Sequence, residues 1–156
     1  LNSALISAGG NIRAIGMPID GIRDKWGVGI QNPDRTIFDD GRVLETIFVT
    51  DSSVVSSGDY QRYYIVDGEI LHHIVHPETF MPTNHYRQVT VVTPDSGFAD
   101  FYSTAVFLLP FEESKELVDS IDNLEAMWVF PDGRIEVTED LKDLMLSYGA
   151  SGAIGK

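Results

Sequence analysis

Three histidines fall within five positions near the middle of the chain: His72, His73 and His76. The last two belong to the segment HIVHPETFMP at 73–82. Imidazole nitrogens bind transition metals and transfer protons near neutral pH, so this pattern is typical of a metal site or of a catalytic loop. Because prolines interrupt the segment, it is also compatible with an ordinary turn that contains histidines.

Strand geometry disfavours the metal site. Alternating residues predict a strand over 69–75, on which neighbouring side chains point to opposite faces. His72 and His73 would therefore diverge, whereas zinc needs imidazoles that converge at about 2.0–2.1 Å from one ion. From the residues alone we expect histidines at the end of a hairpin, with a specific hydrogen-bonding role for His73.

Asp100 and Thr104 form a second pair of residues that could do chemistry. On a helix beginning near Ser96 they are one turn apart and share a face. A carboxylate and a hydroxyl are oxygen ligands of the kind that Mg²⁺ prefers. The alternative is a structural pair in which the threonine hydroxyl bonds back to the carbonyl of Asp100. The bulky apolar residues around this pair predict that Asp100 lies near a buried edge.

Composition limits the classes of protein to consider. The 156 residues include 24 acidic and 11 basic side chains, for a net charge of −13. Such acidity argues against nucleic acid or an anionic membrane surface as a partner. With 43% hydrophobic and 22% charged residues the chain is typical of a soluble globular domain, and its lack of cysteine excludes thiolate sites and disulfides.

Hydrophobic periodicity predicts the elements that must position these residues. The predicted strands cover 3–8, 11–15, 26–30, 44–55, 62–66, 69–75, 88–93, 126–130 and 134–137. Helices are predicted from an Asp95-Ser96 cap to a stop at Pro110, then over 112–121 and 139–146. Together they predict an α+β domain with mostly antiparallel strands over 1–147 and a flexible tail at 148–156.

Five short blocks follow one another along the chain. They are GGNI at 9–12, WGVGIQNP at 26–33, SGDYQR at 57–62, HIVHPETFMP at 73–82 and ADFYSTAVFLL at 99–109. In content and order they resemble the C-terminal half of the ApbE family, the FAD:protein FMN transferases. The resemblance implies that residues 1–147 are the C-terminal part of one ApbE-like domain. The partner of this part would be the missing N-terminal half, and the apolar, strand-like opening of the chain agrees with a start inside a domain.

A specific reaction is implied by this resemblance. The family cleaves the pyrophosphate of FAD with Mg²⁺ and joins FMN to a threonine hydroxyl of an acceptor flavoprotein, releasing AMP. The acceptor would carry a Ser-Gly-Ala-Thr type motif. The resemblance also implies an extracytoplasmic location, with a membrane anchor in an N-terminal segment outside this chain.

The same resemblance assigns roles to individual residues. His73 matches the family's loop histidine, which would take a proton from the acceptor threonine or orient the phosphate. Ile74 would line the FAD pocket. Asp100 and Thr104 match the metal-ligand positions on the family's helix.

Two residues of the histidine segment depart from the family pattern. His76 stands where the family has aspartate, and Phe80 stands where it has glycine. These departures leave a second interpretation, a homologue that binds FAD without transferring FMN. A third is a metal-binding protein that uses His72, His73 and His76 and has no flavin role.

Overall fold

Most residues in regular secondary structure belong to β-strands. The computed structural model of the chain describes residues 1–36 and 38–155. The strands are β1 Ala4–Ala8, β2 Asn11–Ile15, β3 Trp26–Gln31, β4 Val43–Val49, β5 Ser53–Gly58, β6 Tyr63–Val66, β7 Glu69–His72, β8 Gln88–Thr93, β9 Glu125–Val129 and β10 Ile135–Val137. The helices are α1 Ser96–Leu108, α2 Phe111–Asp119 and α3 Glu139–Lys142, followed by a 3₁₀ helix at Leu146–Tyr148. The predicted α+β class is confirmed.

The main sheet has the strand order β1-β2-β5-β8-β9-β10, and its neighbouring strands are antiparallel. β3 pairs with β4, and β6 pairs with β7. Every residue of the central strand β8 is buried, because both faces of the sheet are covered. Residues 59–87, which include the β6–β7 hairpin and the histidine segment, connect two strands that pair directly with each other, β5 and β8.

Two apolar clusters cover the two faces of the main sheet. The first cluster lies against α1 and α2 and includes Val55, Ile74, Tyr86, Val89, Val91, Val106, Phe107 and Trp128. The second joins the main sheet to the β3–β4 pair and includes Val28, Ile30, Ile47, Val49, Val54, Val92, Met127 and Leu141. The sheet is therefore the middle layer, and the first cluster supports the helix that carries the predicted metal ligands.

Local signals at α1 explain its bounds. The side chain of Asp95 accepts a hydrogen bond from the backbone N–H of Phe98 at 2.8 Å, which caps the helix as predicted. The helix ends at Leu108, before Pro110, because proline disfavours a helical residue ahead of it. In the part of the chain that the structure describes, no helix is long and apolar enough to span a membrane.

The Gly9-Gly10 pair forms the turn between β1 and β2. Both residues have positive φ, +58° and +93°, a region that glycine adopts without steric penalty. A side chain at Gly10 would also come within 3.3 Å of the carbonyl oxygen of Ser56. The glycines are accounted for by the hairpin turn and by this close approach to β5.

The predicted strand over 44–55 is two strands, and this prediction was wrong. The chain leaves β4 and enters β5 through Asp51, which has φ of +50°. The Asp51 carboxylate accepts a hydrogen bond from the backbone N–H of Gly16 at 2.7 Å, which holds the reversal in place. The predicted terminal helix over 139–146 also stops early, at Lys142.

Residues of the predicted tail lie along the segment 22–24. The backbone N–H of Asp24 donates to Gly152, and that of Ile154 donates to Ile22, at 2.9 and 3.0 Å. Flexibility of this tail in solution stays a prediction. Lys156 lies outside the described residues.

Candidate active site

His72 closes the base of a loop that runs from 73 to 83, the histidine loop. Its ring is buried, with 3% exposed. The Nε2 atom lies 2.7 Å from the carbonyl oxygen of Thr83, and Nδ1 lies 3.2 Å from the backbone nitrogen of Ile74. A carbonyl can only accept and a backbone N–H can only donate, so Nε2 carries the proton and Nδ1 is the acceptor.

The hydrogen bond between Ile74 and the His72 ring explains why β7 ends at His72. The prediction of a strand through Val75 was wrong, because the N–H of Ile74 donates to the His72 ring instead of to a strand. His73 and His76 therefore lie in a loop, where the alternation of side chains along a strand does not set their directions.

His73 is exposed at the start of the histidine loop. Its backbone N–H donates to the carbonyl oxygen of Arg62 at 3.2 Å, and its ring Nδ1 lies 3.3 Å from the same oxygen. Since that oxygen can only accept, Nδ1 carries a proton and the lone pair of the neutral ring is on Nε2. The contact gives His73 the specific hydrogen bond expected from the sequence.

Ile74 points the opposite way from His73. It is 7% exposed and belongs to the first apolar cluster, with Phe107 and Tyr86. Its side chain supports the loop from below. A contact between Ile74 and flavin stays a prediction.

His76 takes over the turn role that an aspartate would perform at its position. Its Nδ1 atom accepts a hydrogen bond from the backbone N–H of Glu78 at 3.2 Å, the two-residue pattern typical of aspartate side chains in turns. His72, His73 and His76 thus each have a different backbone partner. Among residues 1–36 and 38–155, no group of three or more histidine, cysteine or acidic side chains is placed to hold a metal ion.

Phe80 adopts a backbone conformation that favours glycine. Its φ is +57°, and its side chain is 78% exposed. The chain reverses here through bonds from the N–H of Phe80 to His76 and from the N–H of His76 to Met81, at 2.9 and 3.0 Å. A residue with a Cβ in this region is less stable by about 1–2 kcal/mol than in a right-handed conformation.

We expect Phe80→Gly to be more stable than Phe80→Ala by about 1 kcal/mol, because only glycine adopts this φ without strain. Both variants remove the same exposed ring, so the difference between their free energies of unfolding measures the cost of positive φ for a residue with a Cβ. Urea unfolding of the two proteins measures it. An alanine variant as stable as the glycine variant would show that the loop relaxes away from positive φ.

Asp100 and Thr104 lie on the outer face of α1. Both are exposed, and the Thr104 hydroxyl is 3.5 Å from the carbonyl oxygen of Asp100, which is the weak back-bond of the structural alternative. The expected buried edge was wrong, because the helix buries a different face. That face consists of Ala99, Ser103, Val106 and Phe107.

The oxygen atoms of this pair fit the needs of Mg²⁺. Magnesium is typically held by one or two protein oxygen ligands, with water and substrate phosphate completing its shell. An exposed carboxylate and an exposed hydroxyl, one turn apart, leave room for those further ligands.

Phe107 connects α1 to the histidine loop. Its ring is fully buried and meets the His72 ring edge-on, with centroids 5.5 Å apart. The same helix carries Asp100 and Thr104. The fold therefore brings the helix of the predicted metal ligands against the residue that closes the loop of His73.

A cavity of about 510 Å³ opens beside the histidine loop. It is lined by Asp59, Glu69, Leu71, His72, Met81, Pro82, Asn84, Tyr86, Arg87 and Pro131. Its lining combines apolar loop residues with charged side chains from strand ends, a mixture that is typical of small-molecule sites.

Arg87 binds two carboxylates at the edge of this cavity. Its Nε atom is 2.8 Å from Asp59, and its Nη1 atom is 2.6 Å from Asp34. Burial raises the pKa of the Asp59 carboxyl by more than Arg87 lowers it. Burial also raises the pKa of the adjacent Tyr60 to about 12, so its hydroxyl stays protonated at neutral pH.

This ion-pair network was not predicted from the sequence. Asp59 and Tyr60 belong to the SGDYQR block, but Arg87 lies outside all five blocks and no local pattern marks it. Only the pairing of β5 with β8 brings Arg87 next to Asp59.

Comparisons with known proteins show the family of this chain. A model of the ApbE family matches residues 1–128. A FAD:protein FMN transferase of Treponema pallidum is 35% identical over 150 residues, which cover 92% of this chain and 41% of that protein. The protein of the same name from Escherichia coli K12 is 33% identical over 115 residues, 73% of this chain and 31% of its own length. The chain thus spans less than half the length of these curated relatives.

Solved structures give the same result for the fold. The ApbE protein of Thermotoga maritima matches with a TM-score of 0.79 at 31% identity, over 91% of this chain and 44% of that one. The flavinyl transferase ApbE of Pseudomonas stutzeri in its apo form gives 0.71 at 27% identity, over 96% and 45%. The flavin transferase ApbE of Vibrio cholerae, at 22% identity, shares the fold with a TM-score of 0.68.

Proposed function

Because the chain belongs to the ApbE family, we propose that it is part of an FAD:protein FMN transferase. The full-length protein would take FMN from FAD and attach it to a threonine hydroxyl of an acceptor flavoprotein with a Ser-Gly-Ala-Thr type motif. The observation that carries the proposal is the contact of Phe107 with His72. This contact unites a loop that presents an imidazole with a helix that presents oxygen ligands.

In the reaction, the threonine oxygen forms a bond to the phosphorus of the FMN moiety. The bond from that phosphorus to the bridging oxygen of the pyrophosphate breaks, and AMP departs with the bridging oxygen. The threonine proton must go to a base. The neutral His73 ring has its lone pair on Nε2, since Nδ1 donates to Arg62, and this nitrogen is suited to accept the proton.

Asp100 and Thr104 are the residues that would hold Mg²⁺. A bound Mg²⁺ supplies positive charge to the pyrophosphate and to the oxygen of the departing AMP. Ile74 would support the flavin from beneath the loop. This assignment rests on the resemblance to the family, since the Ile74 side chain itself is packed in the first apolar cluster.

Incubating the full-length protein with FAD, Mg²⁺ and a threonine-bearing acceptor tests the proposal. We expect intact-protein mass spectrometry to detect one FMN increment on the acceptor. The second candidate is a homologue that binds FAD without transferring FMN. It is favoured by the two departures from the family pattern, His76 and Phe80, the latter with a positive φ. FAD binding without a mass increment, in an assay where a relative succeeds, would support this candidate.

We expect Asp100→Asn to raise the Mg²⁺ concentration for half-maximal transfer by at least about tenfold. Removing a metal ligand should weaken metal binding at least as much as removing a residue that only hydrogen-bonds to a ligand. Thr104→Val should have the same direction of effect. Transfer rates measured over a Mg²⁺ titration give the value. Glu113→Gln, an exposed acidic position on α2, is the control for the loss of one surface charge. An unchanged Mg²⁺ requirement in Asp100→Asn would remove α1 from the metal site.

The location and the missing part of the domain are also proposals. We propose that the protein acts outside the cytoplasm through an N-terminal anchor, and that an N-terminal half of the same domain completes the FAD site. The resemblance to the family supports both. Protease treatment of intact cells tests the first, because an extracytoplasmic protein should be degraded while cytoplasmic markers survive.

A further inference from the structure

We propose that His72 is a positioning residue that fixes the histidine loop and so sets the place of His73. The catalytic part of this inference rests on the proposed function. Its structural part concerns the loop alone and can be tested without turnover.

One ring joins the two ends of the loop. Nδ1 of His72 accepts from Ile74 at the start, and Nε2 donates to Thr83 at the end. Both bonds require one neutral tautomer, in which the proton is on Nε2. The residue that follows His72 directly is His73, so a shift of the ring moves the backbone on which the catalytic imidazole is mounted.

The ring itself has little freedom to move. It is 3% exposed and meets the fully buried Phe107 edge-on. Helix α1 therefore supports the ring, and the ring supports the loop. This arrangement transmits the position of the helix that carries Asp100 and Thr104 to the loop that carries His73.

The outer part of the loop is held by other bonds. Val75 forms a bridge with Pro82, and backbone hydrogen bonds join His76 to Met81 and to Phe80. Removing the His72 bonds should therefore loosen the base of the loop while its tip keeps its own hydrogen bonds. The expected defect is a displaced His73 in a folded protein.

Three substitutions separate the two bonds. In His72→Asn the amide oxygen can occupy the place of Nδ1 and accept from Ile74, but nothing reaches Thr83. In His72→Gln the amide nitrogen can occupy the place of Nε2 and donate to Thr83. His72→Phe keeps an aromatic ring against Phe107 and makes neither bond. His85→Phe is the matched control, because His85 is an exposed histidine just beyond the loop.

Amide hydrogen exchange by mass spectrometry, on the full-length proteins, tests the structural part. We expect peptides covering 73–83 to exchange at least about tenfold faster in His72→Phe, with α1 and β8 unchanged, since local opening is set by local contacts. Asn and Gln should lie between wild type and Phe, and His85→Phe should match wild type. Wild-type exchange in His72→Phe would overturn the proposal.

Transfer kinetics test the catalytic part. We expect kcat to fall by about 10- to 100-fold in His72→Phe while KM for FAD changes by less than about threefold, because misplacing a catalytic group affects the chemical step. A fall that Asn and Gln do not partly rescue would indicate a packing role and overturn the proposal. If the wild-type protein transfers no FMN, the proposed function fails, while the exchange data still decide the role of His72. If His72→Phe does not fold, the Asn and Gln variants decide it, because loop exchange identical to wild type in both would overturn the proposal.

Discussion

His73→Asn should lower kcat for FMN transfer by about 10²- to 10⁴-fold, the range that general acid–base catalysis supplies. Asparagine has no nitrogen that accepts a proton at neutral pH, so the threonine hydroxyl would lose its base. The side chain of His73 is exposed and makes one weak contact, at 3.3 Å, with the Arg62 carbonyl. The free energy of unfolding should therefore stay within about 0.5 kcal/mol of wild type.

Quench-flow or steady-state transfer assays with an FMN-specific readout measure this effect. His85→Asn changes an exposed histidine of the same region and should keep wild-type kcat. A kcat within threefold of wild type for His73→Asn would show that another residue is the base. Equal losses in the two variants would point to a general effect on the surface of this region.

Phe107→Ala should lower the free energy of unfolding by about 3–5 kcal/mol, as large-to-small changes of buried aromatic residues do. The ring is 0% exposed and contacts both His72 and Tyr86 edge-on. Its loss would leave a cavity between α1 and the main sheet, at the point where the helix supports the histidine loop. We therefore also expect FMN transfer to fall in the protein that remains folded.

Phe101→Ala is the matched comparison on the same helix. Phe101 is 65% exposed and meets Tyr102 edge-on at 5.0 Å. Its removal should lower the free energy of unfolding by less than about 1 kcal/mol, the size of one aromatic pair contact. Urea unfolding of both variants gives the two values. Similar losses would mean that α1 buries a different face in solution.

Elements with strong local signals could be predicted from the sequence. The bounds of β8, 88–93, agree with the structure, and α1 begins after the predicted cap at Asp95 and ends before the predicted stop at Pro110. These signals act over a few residues: β-branched runs, a capping carboxylate and a ring that blocks helix continuation. They therefore remain readable without knowledge of the fold.

Long-range contacts decide the features that the sequence did not reveal. The break in the run 44–55 depends on a bond from Gly16 to Asp51. The end of β7 depends on the bond from the N–H of Ile74 to the His72 ring, and distant residues, Thr83 and Phe107, hold that ring in place. The exposure of Asp100 follows from which face of α1 meets the sheet. None of these is encoded by spacing within one segment.

The candidate site was identified through the family resemblance. The order of the five blocks selected His73, Ile74, Asp100 and Thr104. The structure adds the contact between Phe107 and His72, which joins the helix of the last two to the loop of the first two. Periodicity and spacing alone favoured a hydrogen-bonding role for His73 and a structural pair for Asp100 and Thr104. Their roles in catalysis, flavin contact and metal binding stay predictions. The His73→Asn variant tests the first of these roles, and Asp100→Asn tests the last.

The direct pairing of β5 with β8 has a consequence for evolution of the site. Residues 59–87 leave the main sheet after β5 and return to it at β8. They therefore form an insertion whose two ends are held together by the pairing of β5 with β8. Doubling the length of such an enclosed segment adds only about 0.6 kcal/mol of closure entropy. The histidine loop can therefore change its length, or exchange residues such as His76 and Phe80, while β5 and β8 stay paired in register. Substitutions that alter the chemistry of the loop can thus accumulate without unfolding the main sheet.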